Sequence, residues 1–264
     1  MKYNLKIKND LLYLFILLVV TQFFNYSVLK APVELLIILA VLGLLLLETW
    51  FVRAFSLYSG KRISKYSDVI VRISLKERFF GYFVLPAIFY VALLFFLYFN
   101  RNELLGYVVL TVCAVLLMVL FLNVKSSLNK IYSIAIATRA IFDFICITIF
   151  YLLINSFVRI GLSIEVFVIM SIISAFVLLL FVLKMHDRLG FSEFLVAIFS
   201  ALFISFFTIL FWDYNIFVIP VIGALAFYLI ISLWNIKFAG KIKFLDYIVP
   251  FLYVAISIIL VLNL

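Results

Sequence analysis

Apolar residues occur in nine long runs along the chain, separated by short polar gaps. Each run holds roughly 20 mostly apolar residues, the length that an α-helix needs to cross the hydrocarbon core of a bilayer. Because backbone polar groups find no water there, each run is expected to be helical. The pattern predicts an all-α, polytopic integral membrane helical bundle with about nine transmembrane helices. The predicted spans are residues 11–29, 32–55, 79–99, 104–124, 131–154, 162–183, 191–212, 216–234 and 244–262.

Lys and Arg residues alternate between the gaps and so predict the orientation of the helices. The N-terminal segment and the second, fourth, sixth and eighth gaps carry three, seven, two, two and three of them. The other gaps carry only Lys30, Arg101 and Arg159. Because cytoplasmic loops of membrane proteins are enriched in Lys and Arg, we expect a cytoplasmic N-terminus and an external C-terminus. This is the topology of a multi-pass protein of a cytoplasmic membrane.

Composition supports a membrane protein and leaves little room for a soluble domain. Of 264 residues, 69% are hydrophobic and 12% are charged, whereas soluble domains are about half apolar and a quarter charged. No gap is long enough for a globular domain, so residues 1–264 are predicted to form one transmembrane domain. The net charge of +9 follows from the basic loops. Since no recognisable motif accompanies this charge, we do not expect nucleic acid as a partner.

The second gap is the longest and the most basic. Apolar positions recur at helical spacing between residues 65 and 80, with basic residues opposite them. This predicts an amphipathic helix on the inner membrane surface, although residues 71–76 also alternate like a strand. Anionic lipid headgroups are therefore expected partners, and a simple topology anchor is the alternative. The candidate lipid-binding residues are Lys61, Arg62, Lys65, Arg72, Lys76 and Arg78.

The fifth span contains the only charged pair well inside a predicted helix. Arg139 and Asp143 are four positions apart, hence on one helical face, about 12 and 18 Å from the cytoplasmic end at 1.5 Å per residue. Because charges inside a bilayer are costly, such residues are functional candidates. The alternative is a pair that neutralises itself. Glu48, at a similar predicted depth in the second span, is a possible partner of Arg139, or it interacts locally with Arg53.

The other residues that could take part in chemistry are interpreted as structural. The only histidine, His186, lies in a short charged gap and is predicted to belong to a solvated turn. Cys113 and Cys146 fall inside apolar spans without metal-ligand spacing, which predicts buried free thiols. The three tryptophans lie at span ends, where aromatic rings favour the membrane interface. We predict no metal and no cofactor.

No catalytic or nucleotide-binding signature occurs in the sequence. The pattern favours a non-enzymatic accessory, scaffold or lipid-interacting membrane component. Its expected partners are membrane lipids, together with another membrane protein or further copies of the chain. One alternative is a small-solute or lipid carrier that uses the polar face of the fifth helix. A lipid-modifying enzyme is a weaker alternative, because few polar groups converge in the sequence.

Overall fold

The computed structural model describes most of the chain, including nearly all of the predicted spans. The residues described are 2–25, 32–58, 79–129, 135–186, 188–240 and 244–263.

The described residues contain nine α-helices and no β-strand. A π-helical turn, Phe80–Val84, leads into the third helix, which has Pro86 in its first turn. The helices are α1 (Lys2–Gln22), α2 (Val33–Tyr58), α3 (Leu85–Phe99), α4 (Glu103–Asn129), α5 (Ala135–Ile160), α6 (Ile164–Met185), α7 (Phe191–Ile209), α8 (Val218–Ala239) and α9 (Phe244–Leu262).

Eight helical segments in the described part are long and apolar enough to cross a membrane, namely α2, α3 with its π-helical turn, and α4 to α9. This confirms the prediction of an all-α polytopic membrane protein. The first predicted span, residues 11–29, begins within α1 and includes residues 26–29, which lie outside the described part. That α1 crosses the membrane therefore stays a prediction. The orientation of the helices stays a prediction.

The orientation can be tested with reporters at the two ends of the chain. The charge pattern over α2 to α9 alone places the C-terminus outside, so a C-terminal phosphatase reporter should be active and a C-terminal fluorescent reporter dark. The N-terminal reporter tests α1, because the N-terminus is cytoplasmic only if α1 also crosses. A fluorescent C-terminal fusion would contradict the predicted orientation.

Contacts divide the chain into two compact units, Met1–Ile141 and Phe142–Leu264. In the first unit, α2 packs against α1, α3 and α4, and α4 also contacts α1 and α3. The ring of Trp50 stacks on Phe121 at 4.2 Å between centroids and is only 1% exposed. Aromatic stacking within the unit therefore buries the ring, and the position of Trp50 at the membrane interface stays a prediction.

The closest approach of α2 and α3 involves a glycine and a tyrosine. The Tyr90 side chain is fully buried, and its hydroxyl lies against Gly43, where a Cβ atom would overlap it. The Thr21 hydroxyl lies 3.3 Å from the Tyr90 hydroxyl and donates to the Leu17 carbonyl at 2.6 Å. Gly43 is thus required by packing, since it allows a large polar-tipped ring between helices.

In the second unit, helices pack mainly on their neighbours in sequence: α6 on α7, α7 on α8, and α8 on α9. The rings of Phe150 on α5 and Phe227 on α8 stack at 4.9 Å. The Ser205 hydroxyl donates to the buried Ser171 hydroxyl across α6 and α7 at 2.9 Å. The first contact links α5 to α8, and the second links α6 to α7.

The last helix packs mainly against α8. Among its described residues only Pro250 and Val254 are buried. Most of its large apolar side chains are more than half exposed, including Phe251 and Ile256. The surface of α9 is therefore suited to lipid or to another membrane helix.

The two cysteines behave as predicted. Cys113 and Cys146 are buried and carry free thiols. No group of three His, Cys, Asp or Glu residues that could hold a metal ion occurs in the described part of the chain.

Candidate functional site

The second unit contains a cluster of three polar side chains, formed by Asp143 and two partners. Asp143 is 5% exposed and is the second residue of the part of α5 that belongs to this unit. The Asn235 side-chain amide on α8 donates to Oδ2 at 2.8 Å. His186 Nε2, at the end of α6, lies 3.3 Å from both carboxylate oxygens. We call these three residues the polar cluster.

The end of α6 determines where the histidine points. His186 caps this helix, and its backbone N–H donates to the Val182 carbonyl at 3.1 Å. Its ring packs beside Phe238 of α8, with 5.4 Å between centroids. Because an ionised carboxylate only accepts hydrogen bonds, Nε2 must carry a hydrogen to bond Asp143. The prediction that His186 belongs to a solvated turn is wrong, because its side chain is only 8% exposed.

The cluster holds a carboxylate where membrane burial would otherwise make it costly. Two donors compensate its charge, and one further acceptor is left over. The Asn235 Oδ1 atom is buried and has no hydrogen-bond partner among the described residues. This arrangement can hold a negative charge or exchange a proton.

A crevice of about 180 Å³ opens beside the polar cluster. It contains two exposed cations, Arg188 and Lys237. Neither forms an ion pair with a carboxylate in the described part. Phe238 connects the two features, since the Arg188 guanidinium lies 5.9 Å from the ring that packs on His186. We call this the basic crevice; it is lined by Leu183, Arg188, Ser192, Glu193, Val196, Trp234, Lys237 and Phe238.

Among the described residues that line the basic crevice, Glu193 is the only acid, and it has a hydrogen-bond donor of its own. The Ser192 hydroxyl donates to Glu193 Oε2 at 2.7 Å. The same oxygen lies against Gly190, where a Cβ atom would overlap it. With two cations and one carboxylate, the described lining residues carry a net positive charge.

Two of the predicted site residues lie in the first unit. Glu48 is half-buried on α2, and Arg139 is half-buried in the first turns of α5. Arg53, the predicted local partner of Glu48, donates to the Tyr13 hydroxyl at 3.4 Å and lies over its ring. The pairings of Arg139 with Asp143 and with Glu48 stay predictions.

The predicted lipid-binding surface of the second gap lies outside the described residues. This applies to Lys61, Arg62, Lys65, Arg72, Lys76 and Arg78. Their role as an anionic-lipid surface stays a prediction.

Sequence reasoning found Asp143 but missed its partners. His186 and Asn235 are 43 and 92 positions away along the chain. One signal was available, because the charge pattern predicts that the gap containing His186 faces the same side as the near end of α5. A lone histidine and a lone intramembrane aspartate on one side of the membrane are candidates for contact.

Comparison with protein-family models, curated proteins and solved structures finds no match for this chain.

Proposed function

We propose that this multi-pass membrane protein is a non-enzymatic, lipid-interacting component of a cytoplasmic membrane, and that it holds an anionic lipid headgroup in the basic crevice. The observation that carries the proposal is the combination of Arg188 and Lys237 with aromatic and aliphatic walls in one small opening. An amphiphile presents matching chemistry, with a phosphate at one end and hydrocarbon next to it.

The chemistry of the lining supports a phosphate ligand. A guanidinium binds phosphate oxygens through two parallel hydrogen bonds, and a lysine contributes a compact positive charge. Trp234 and Leu183 are buried beside these groups and offer an apolar surface to the part of the lipid below its phosphate.

The size of the crevice favours a headgroup over a whole small-molecule substrate. Typical ligand pockets measure about 300–1,000 Å³, whereas this crevice measures about 180 Å³. A volume of this size suits one polar headgroup whose hydrocarbon chains stay in the membrane.

A second candidate role is that of an accessory or scaffold subunit. The specific observation is α9, which packs mainly against α8 and exposes most of its large apolar side chains. A helix with this much free surface can receive a transmembrane helix of another protein or of a second copy. The carrier alternative draws less support, because Asp143 is 5% exposed and already bonded by two donors.

The lipid proposal predicts selective stabilisation by anionic lipid. In detergent, phosphatidylglycerol should raise the thermal midpoint more than phosphatidylcholine with the same chains. In an Arg188→Gln/Lys237→Gln variant this difference should disappear, because each charge-assisted hydrogen bond contributes about 1.5–3 kcal/mol. The measurement is the thermal midpoint as a function of the concentration of each lipid. The affinity of the double variant for phosphatidylglycerol should be weaker than that of the wild type by at least about tenfold.

Lys184→Gln is the matched control, since Lys184 lies on the same end of α6 and does not line the crevice. It removes one positive charge and should keep the preference for phosphatidylglycerol. If the double variant also keeps the preference, the basic crevice is not the lipid site. If Lys184→Gln abolishes it equally, the effect reflects general surface charge.

A further inference from the structure

The first unit contains a second opening of different chemistry. A groove of about 440 Å³ lies between α2 and α3, closed on one side by Phe24. Its lining is aliphatic and aromatic, and Tyr98 is the only residue in it with a polar side-chain atom. We call it the α2–α3 groove; it is lined by Phe24, Val33, Leu36, Ile37, Ala40, Val41, Leu44, Val91, Leu94, Phe95, Tyr98 and Phe99.

One face of each helix forms a wall. The lining residues of α2 recur at intervals of three, one, three, one and three positions, and those of α3 at intervals of three, one, three and one. These intervals correspond to a single helical face. Leu36 and Leu94 are buried at the base, whereas Ile37 and Phe95 are exposed at the rim.

The lining gives the length of the groove. It runs from Val33, the first residue of α2, to Leu44, and on α3 from Val91 to Phe99, the last residue of that helix. Val33 and Leu44 are eleven residues apart, which corresponds to about 16 Å along a helix. This depth is close to half of the roughly 30 Å hydrocarbon core, the thickness of one leaflet. The groove therefore runs from one membrane surface to the midplane.

A charged residue lies next to the open end. Arg101 follows the groove residue Phe99 by two positions and is exposed. The turn that carries it is fixed by two asparagines: the Asn100 amide donates to the Asn102 carbonyl at 2.7 Å, and Asn102 Oδ1 accepts from the Leu105 backbone at 3.1 Å. A phosphate at the membrane surface above the groove would find this guanidinium beside it.

From these observations we infer that the α2–α3 groove seats one acyl chain of a phospholipid from the leaflet facing Val33 and Phe99, with its phosphate directed to Arg101. The occupant follows from location, because both walls belong to membrane-spanning helices and hydrocarbon is the medium at that depth. A single chain matches a cleft that is one leaflet deep and apolar along its length. The site is separate from the basic crevice, involves other helices and does not depend on it.

The test is lipid retention after extraction of the full chain into polymer-bounded native discs. Bound phospholipid would be counted by native mass spectrometry after release from the disc. Ala40→Phe should fill the groove and lower retained phospholipid on the order of tenfold. Leu42→Phe, on the same helix but outside the lining and 52% exposed, should retain the lipid. Equal retention by both variants would overturn the inference.

Further variants test whether misfolding causes the loss, and distinguish binding of the acyl chain from binding of the headgroup. Val91→Phe fills the groove from the opposite wall and should reproduce the loss at an unchanged thermal midpoint. Arg101→Gln should abolish the preference for phospholipid over diacylglycerol with the same chains, while both still bind. If Arg101→Gln abolishes binding of both, the hydrocarbon is not the main determinant and the inference fails. The Arg188→Gln/Lys237→Gln variant should retain this lipid, so the two sites can fail independently.

Discussion

Replacing His186 by leucine is expected to lower the thermal midpoint of the detergent-solubilised protein by about 10 °C. The substitution removes one of the two donors that compensate the buried Asp143 carboxylate. Removing a hydrogen-bond donor from a buried charged acceptor costs about 3 kcal/mol. In a chain of this size each kcal/mol corresponds to about 2–4 °C. Thermal unfolding followed by tryptophan fluorescence would measure the change.

The double variant distinguishes this interaction from general damage. Adding Asp143→Leu to His186→Leu removes the uncompensated charge. The double variant should therefore lose less stability than the sum of the losses in the two single variants. His186→Gln, which keeps a side-chain N–H donor, should fall between wild type and His186→Leu. Strictly additive losses would show that Asp143 and His186 do not stabilise each other.

The same cycle can test the pair predicted from helical spacing. If Arg139 pairs with Asp143, Arg139→Gln and Asp143→Asn should be non-additive. If the His186 cycle is coupled and the Arg139 cycle is not, the polar cluster alone holds the carboxylate.

Replacing Gly43 by valine is expected to prevent stable assembly of the first unit. A Cβ atom would overlap the Tyr90 hydroxyl and approach Cζ to 2.8 Å, and this ring is fully buried and cannot swing aside. Overpacking a buried site usually costs about 1–3 kcal/mol; a β-branched side chain meeting a rigid ring should lie at or above that limit. Expression level and thermal midpoint in detergent would record the loss.

Two variants separate the steric cause from the loss of a glycine as such. Gly43→Ala combined with Tyr90→Phe should recover part of the stability lost by Gly43→Ala alone, because the nearest atom is removed. Gly223→Ala is the matched control, since its added Cβ would meet Thr208 and Phe150 at 3.2 Å or more. It should change the midpoint only slightly. A loss equal to that of Gly43→Ala would show that Tyr90 is not the cause.

The number and order of the helices could be predicted because hydrophobic length is a local property of the sequence. The ninth helix begins and ends at the predicted residues. The end of α5 could not be predicted, because Asn155 and Arg159 look like loop residues. In the structure α5 continues through them: Asn155 is 1% exposed, and Arg159 Nε donates to its Oδ1 at 2.7 Å. The Arg159 guanidinium also lies 5.1 Å from the Phe217 ring. Tertiary contacts of this kind leave no signal in local hydropathy.

The candidate sites, too, could be predicted from the sequence only in part. An aspartate within an apolar run is visible in the sequence, so Asp143 could be named. The identity of its partners depends on how α5, α6 and α8 meet, which local periodicity does not determine. The α2–α3 groove was not predicted, because the apolar faces that line it have the same pattern as faces that pack directly together.

The order of packing in the second unit has a consequence for biosynthesis. Because α6 to α9 contact mainly their sequence neighbours, each helix finds its packing surface already in the membrane when it emerges from the ribosome. Such local contacts favour fast folding with little entropy lost in closing long loops. The polar cluster is the exception, since Asn235 arrives 92 residues after Asp143. Until α8 is inserted, the nascent chain holds that carboxylate with His186 at most, which makes insertion of α8 the step that completes the unit.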